Sequence, residues 1–133
     1  MIISTDCCFQ ALPSSITIKH HGKTIIIPEV VVDTGAAESI LSIDAVEALF
    51  NDCEPEDQIR FMTGIGGREA SVRRMIDQVK FHSFQMKDVR IDFGRIGEYS
   101  EINGLIGLDI LIPGKFIIDL NRLRIYAAGN EEV

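Results

Sequence analysis

Asp33 stands at the end of an apolar run, Val30-Val31-Val32, and is followed at once by Thr34 and Gly35. An extended run is a stiff platform, glycine lets the backbone turn back sharply, and the acid is left at the tip of the turn. A carboxylate presented this way can take a proton from water or return one to a leaving group, provided a second acid shares the work. Asp-Thr-Gly alone is a weak signal, because an Asx turn closing a strand uses the same residues. The sequence contains no second Asp-Thr-Gly or Asp-Ser-Gly, so one chain supplies half of such a pair.

Two further segments raise the standing of Asp33. Gly64-Ile65-Gly66-Gly67 lies between two β-rich runs, Ile59–Thr63 and Glu69–Ile76, which predicts a hairpin with a mobile glycine tip. A phosphate cradle fits poorly, since Gly64 to Glu69 lacks the final glycine of a dinucleotide loop and the Gly-Lys-Ser/Thr of a Walker loop. Leu105-Ile106-Gly107 presses an apolar pair against glycine and runs into a short helical turn ending near Pro113.

The elements that must position these residues read mostly as strands. Ile16–Ile18 and Lys23–Ile27 predict a hairpin across His20-His21-Gly22, and Glu29–Val32 a strand buried on both faces. After Asp33, Ser39–Leu41 reads as a short strand. Ser42 then caps the one long helix, Ile43 to Phe50, whose Ile43, Ala45, Val46, Leu49 and Phe50 form an apolar stripe. Asn51 to Asp57 is a polar loop around Pro55. Val79–Phe81 and Val89–Phe93 are two further strands, Gly94 to Glu101 a loop, and Lys115–Asp119 with Leu123–Tyr126 a closing hairpin around Asn121-Arg122. A weak internal symmetry is visible: strand, Asp33 turn, strand and helix, then strand, loop, Leu105-Ile106-Gly107 and short helix.

The bulk properties narrow the classes. A chain of 133 residues fits one ordinary domain, and a net charge of -7 argues against a surface that neutralises phosphates, so no nucleic acid partner is expected. The N-terminus lacks a basic region followed by an apolar stretch, and no run is long enough for a membrane helix, so the expectation is a cytoplasmic protein without a membrane partner. Cys7, Cys8 and Cys53 form an odd set with no C-x-x-C pair, which favours reduced thiols, and nothing local activates one of them against a histidine. His20, His21 and His82 lack metal-ligand spacing, so neither metal nor other cofactor is expected. Asp92 and Asp119 read as turn caps or solvent-facing acids.

Val31 to Ala36, Thr63 to Gly67 and Asn103 to Leu111, together with Phe116 to Tyr126, resemble the retropepsin-like aspartic peptidases. The similarity covers residues 15–126, leaving 1–14 as an N-terminal extension and 127–133 as a polar tail. The wording around the second motif is closer to cellular members, including the protease domain of DNA-damage-inducible shuttle proteins, than to viral ones. The resemblance implies a mostly β, closed barrel-like fold with one main α-helix and one short helical turn. It also implies an endopeptidase that acts on peptide or protein substrates as a symmetric homodimer, each copy lending one Asp-Thr-Gly loop. On this resemblance Asp33 activates the water, Thr34 braces the two loops, Gly35 lets substrate backbone approach, and Gly64, Ile65, Gly66 and Gly67 form the flap. Leu105, Ile106 and Gly107 would pack under the Asp33 loop, and Asp109, where the resemblance places a polar residue, would hold the short helix or the dimer. Ala36 cannot donate the hydroxyl hydrogen bond that serine could, which leaves the acid less acidic and predicts a pH optimum milder than that of stomach-type enzymes. A peptide-binding or dimerisation module that keeps the fold without turnover is the alternative.

Overall fold

Isoleucine- and valine-rich runs favour pleated, half-buried strands, and the computed structural model, which describes residues 2–3, 14–50, 52–64, 67–96 and 101–128, is built mainly of them. In chain order the strands are β1 (Ile2–Ile3), β2 (Ile16–His20), β3 (Lys23–Ile27), β4 (Val30–Asp33), β5 (Ile40–Ser42) and β6 (Gln58–Gly64). They continue as β7 (Gly67–Phe81), β8 (Phe84–Gly94), β9 (Gly104–Ile106), β10 (Phe116–Asp119) and β11 (Arg124–Ala127). A 3-10 helix, Ile43–Leu49, follows β5, and one α-helical turn, α1 (Leu108–Leu111), follows β9.

Nine strands share one sheet in the order β1-β4-β9-β5-β8-β7-β2-β3, with β6 also on β7, while β10 and β11 form a separate hairpin. The sheet curls into a half-barrel, as the mostly β, barrel-like expectation requires. Its core is one buried cluster that includes Ile16, Ile18, Val30, Val32, Leu41, Ile76, Phe81, Phe93, Ile106 and Ile110. Each such side chain contributes about 1.5–3 kcal/mol relative to exposure, so this continuous cluster fixes the strand carrying Asp33.

The expected hairpins at His21-Gly22 and between β10 and β11 are present, with His21 at φ 49° and Gly22 at φ 78° supplying the tight first turn. The weak internal symmetry is physical. β4 runs parallel to β9, β5 runs parallel to β8, and the two inner strands β5 and β9 pair antiparallel. β1 lies antiparallel on the other edge of β4, with Ile2 opposite Asp33. Cys53 is a free, exposed thiol, and Cys7 and Cys8 lie outside the described residues.

Two expectations need correction. The main α-helix is instead a kinked 3-10 element: Val46 has non-helical angles (φ -129°, ψ 29°), and Ser42 makes no side-chain cap. Ile43, Val46 and Leu49 are spaced by three, and a helix with three residues per turn aligns that spacing on one face. Glu69–Ile76, Val79–Phe81 and Val89–Phe93 are not separate strands. They belong to two long strands, β7 and β8, paired in one unbroken register from Ser71 opposite Gly94 to Phe81 opposite Phe84. The polar Asp77-Gln78 break is where the ladder skips Asp77 and Asp88, the latter at φ 54°, and the buried positions shift from Arg74 and Ile76 to Val79 and Phe81.

Candidate active site

β4 is buried along Val30, Val31 and Val32 and emerges at a half-buried Asp33. Its parallel neighbour places Val30 opposite Gly104, Val31 opposite Leu105 and Val32 opposite Ile106, so the third expected segment lies directly beside the first. Gly104 is closely packed: a Cβ there would fall 2.6 Å from Leu41 Cδ2 and 3.2 Å from Ile40 O, so a larger residue would push the Leu41 side chain aside.

At the strand end Asp33 Oδ1 accepts the Gly35 N–H at 2.9 Å, and the Ala36 N–H donates to the Asp33 carbonyl at 3.2 Å. This is the Asx turn that the tripeptide allows on structural grounds, and it presents the acid at the same time. The two readings are compatible. A Cβ on Gly35 would sit 3.3 Å from Asp33 Oδ1, so glycine keeps that side of the carboxylate clear.

The loop after Asp33 is held from below. Leu108 N–H donates to Ala36 O at 2.8 Å and Asp109 N–H to Ala37 O at 3.2 Å. The Ser39 hydroxyl donates to Asp109 Oδ1 at 2.6 Å, the Ser39 N–H donates to Asp109 Oδ2 at 2.9 Å, and the Gly107 N–H donates to Ser39 Oγ at 2.8 Å. Gly107 has no room for a side chain, since a Cβ would meet Ala36 O at 2.6 Å. Leu105, Ile106 and Gly107 thus lie against β4 and its loop, and Asp109, within the single turn of α1, holds the loop through Ser39.

The loop is also held from the side. Glu38 Oε2 lies 2.6 Å from Arg73 of β7 and 3.1 Å from Arg60 of β6, while Arg73 makes two bonds to Asp92 of β8 at 2.7 and 3.2 Å. The Arg73 hydrogen bond, aided by Arg60, holds the Glu38 carboxyl below its ordinary value despite the opposing cost of burial. Asp92 is therefore not the turn cap or solvent-facing acid expected: it is 2% exposed and paired with Arg73. Asp119 does cap a turn, accepting from the Asn121 and Arg122 amides.

The glycine-tipped hairpin is present, with β6 and β7 paired from Gln58 opposite Arg73 to Gly64 opposite Gly67. Ile65 and Gly66, its tip, lie outside the described residues. Glu38, Ser39 and Arg73 were absent from the expected site. Ser39 and Glu38 sit within a few residues of Asp33, which was the available signal, but their partners are remote in sequence. Among the described residues, the side chains grouped closely enough to ligate a metal are His20, His21 and Glu54, none of them in the Asp33 loop or its supports.

A family model for aspartyl proteases matches residues 16–110, a span that runs from β2 into α1 and contains Asp33, the glycine hairpin and Leu105-Ile106-Gly107. Among curated proteins none matches the chain. The matched span covers most of the chain and coincides with the half-barrel that presents Asp33, so this chain belongs to the aspartyl protease family, within the retropepsin-like clan.

Proposed function

We propose that the chain is an aspartic endopeptidase active as a homodimer, cutting extended protein segments at a site completed by Asp33 of a second copy. The observation that carries this reading is the single Asp33, offered at the end of a buried strand on a loop pinned by Leu108, Asp109 and Glu38. A pair needs two acids, and a two-fold axis supplies the second at no cost in sequence. Two close carboxylates share one proton and titrate as a unit. The ionised acid takes a proton from water as the oxygen adds to the peptide carbonyl. The protonated acid gives its proton to the carbonyl oxygen, and collapse of the gem-diol expels the amine with a proton returned from the dyad. No covalent intermediate forms.

Thr34 braces the two loops across the axis, and Gly35 admits substrate backbone. Gly64, Ile65, Gly66 and Gly67 close over an extended peptide, whose main chain pairs with the hairpin. Ala36 brings no hydroxyl to the dyad, which suits a milder pH optimum and a cytoplasmic setting. Among the described residues no helix is long and apolar enough to cross a membrane.

The test is digestion of a peptide library by wild type and Asp33→Asn, with and without an inhibitor carrying a transition-state hydroxyl. Cleavage should fall by about 10²–10⁴-fold in the variant, the usual weight of a general acid–base group, and vanish with the inhibitor. Equal cleavage by both proteins would overturn the reading. Peptide binding without any cleavage would instead favour the silent module.

A further inference from the structure

One edge of β7 is shared by two strands. β6 pairs with it up to Gln58 opposite Arg73, and β2 takes over at Lys19 opposite Gln78, so Arg74 to Asp77 face the gap between them. The segment leading into β6 fills this gap and is held by Arg74, which is 2% exposed. Arg74 donates to the Leu49 and Asp52 carbonyls and grips Asp57 with two bonds of 2.9 and 2.6 Å. Its guanidinium also lies over the Phe50 ring at 4.1 Å and reaches Glu54 Oε2 at 3.0 Å.

The β2–β3 turn brings two imidazoles to the same carboxylate. His20 Nε2 lies 3.0 Å from Glu54 Oε1, and His21 Nε2 lies 3.0 Å from that same oxygen. Adjacent residues on a regular strand point to opposite faces; these two converge because His21 takes φ 49°. The ligand atoms of all three side chains fall within 4.8 Å of one another, beside a cavity of about 230 Å³ that Lys23, Ala48, Leu49 and Asp52 also line.

We propose that His20, His21 and Glu54 form a binding site for a divalent transition metal ion of the zinc type, its open positions facing that cavity. Two imidazole nitrogens and one carboxylate oxygen are a donor set zinc accepts, and ligands about 2.0–2.2 Å from a tetrahedral ion stand about 3.3 Å apart. The present 3.0 Å spacings need to open by only a few tenths of an ångström. Arg74, itself balanced by Asp57, holds Oε2, which His20 Nε2 also approaches at 2.8 Å, while both rings reach Oε1 at 3.0 Å. The surrounding side chains carry acidic excess, with Glu54, Asp52, Asp57 and Asp77 against Arg74 and Lys23.

Asp77 lies behind the His20 ring. His20 Nδ1 is 3.6 Å from Asp77 Oδ1, and the Asp77 carboxylate is oriented by the His21 N–H at 2.9 Å. His20 Nδ1 faces the Asp77 N–H at 3.3 Å; with Nε2 on a metal the ring proton moves to Nδ1, so the ring must turn from that amide toward Asp77 Oδ1 to find an acceptor. Such an ion would tie the β2–β3 turn to the segment that opens the glycine hairpin. The site rests on this geometry and not on the peptidase reading.

The test is equilibrium dialysis of the full chain against Zn²⁺, with Co²⁺ as a spectroscopic probe. The expected result is one ion per chain, a tetrahedral Co²⁺ spectrum, and affinity more than about tenfold weaker in both His21→Ala and Glu54→Gln. His82→Ala should bind as wild type, and Mg²⁺ should not compete. His21 is 68% exposed, so His21→Ala should keep its fold, which circular dichroism verifies. No bound ion, unchanged affinity in both ligand variants, or displacement by equimolar Mg²⁺ would each overturn the site.

Discussion

A carboxylate held by an arginine stabilises a fold only while it is charged, and Asp57 meets that condition at the buried Arg74. The Arg74 hydrogen bond, chiefly, keeps the Asp57 carboxyl below its ordinary value of 3.8, outweighing the upward push of burial, with the Glu54 amide helping. A folded-state value below the unfolded one adds stability that is complete above the unfolded value and lost as pH falls through the folded one. Urea midpoints should therefore be flat from neutral pH to about pH 5 and decline below about pH 4. In Asp57→Asn the protein should be less stable at neutral pH, by about 3–5 kcal/mol for a buried pair losing one partner, and its acid decline should be shallower. An equally steep decline would mean other acids carry it. Asp33 was legible in the sequence because its chemistry is local, a strand, an acid and a glycine. Ser39 and Asp92 were not, since Ser39 meets Asp109 70 positions away and Asp92 meets Arg73 across 19.

The elements that differ from expectation do so where tertiary contacts decide. A stripe at Ile43, Val46 and Leu49 satisfies α and 3-10 periods alike over so short a stretch, and only packing on the sheet selects the tighter helix. Asp77 and Gln78 are polar and interrupt the apolar pattern, yet β2 and β8 flank β7 around them and carry the strand through. The hairpins were readable because turn chemistry is local: Gly22 and Asn121-Arg122 announce them. Coupling between the Asp33 loop and the glycine hairpin was not readable, because it runs through Glu38 to Arg60 and Arg73. Arg60 and Glu38 are more than a third exposed, and pairs of that kind contribute about 0–1 kcal/mol. Glu38→Ala should therefore shift the unfolding free energy by no more than about 1 kcal/mol. Its effect should appear in dynamics, as faster amide exchange across β6 and a several-fold loss of peptide cleavage. Unchanged exchange in β6 would show that the hairpin root does not depend on Glu38.

At the scale of the whole molecule, the internal symmetry and the lone acid point the same way. Within one chain, β4 with β5 and β8 with β9 exchange parallel partners around the β5–β9 pair. This duplicated frame carries Asp33 on one arm and Gly107 on the other, so it makes one acid-bearing turn and one support. The sequence could show that the chain carries a single Asp-Thr-Gly turn, because such a count needs no structure. It could not show how the half-barrel is completed, which depends on surfaces assembled from distant strands. If a second copy completes it, the two chains become interchangeable parts of one catalyst. Mixing wild type with Asp33→Asn, under conditions where subunits exchange, then gives a quantitative outcome. With the variant in threefold excess, about one partner in four of any wild-type chain is wild type, so activity per wild-type chain should fall to about a quarter. A monomeric enzyme would keep all of its activity at every ratio. Adding the folded variant immediately before the assay, with no time for subunits to exchange, should show no loss, which separates subunit exchange from competition for substrate.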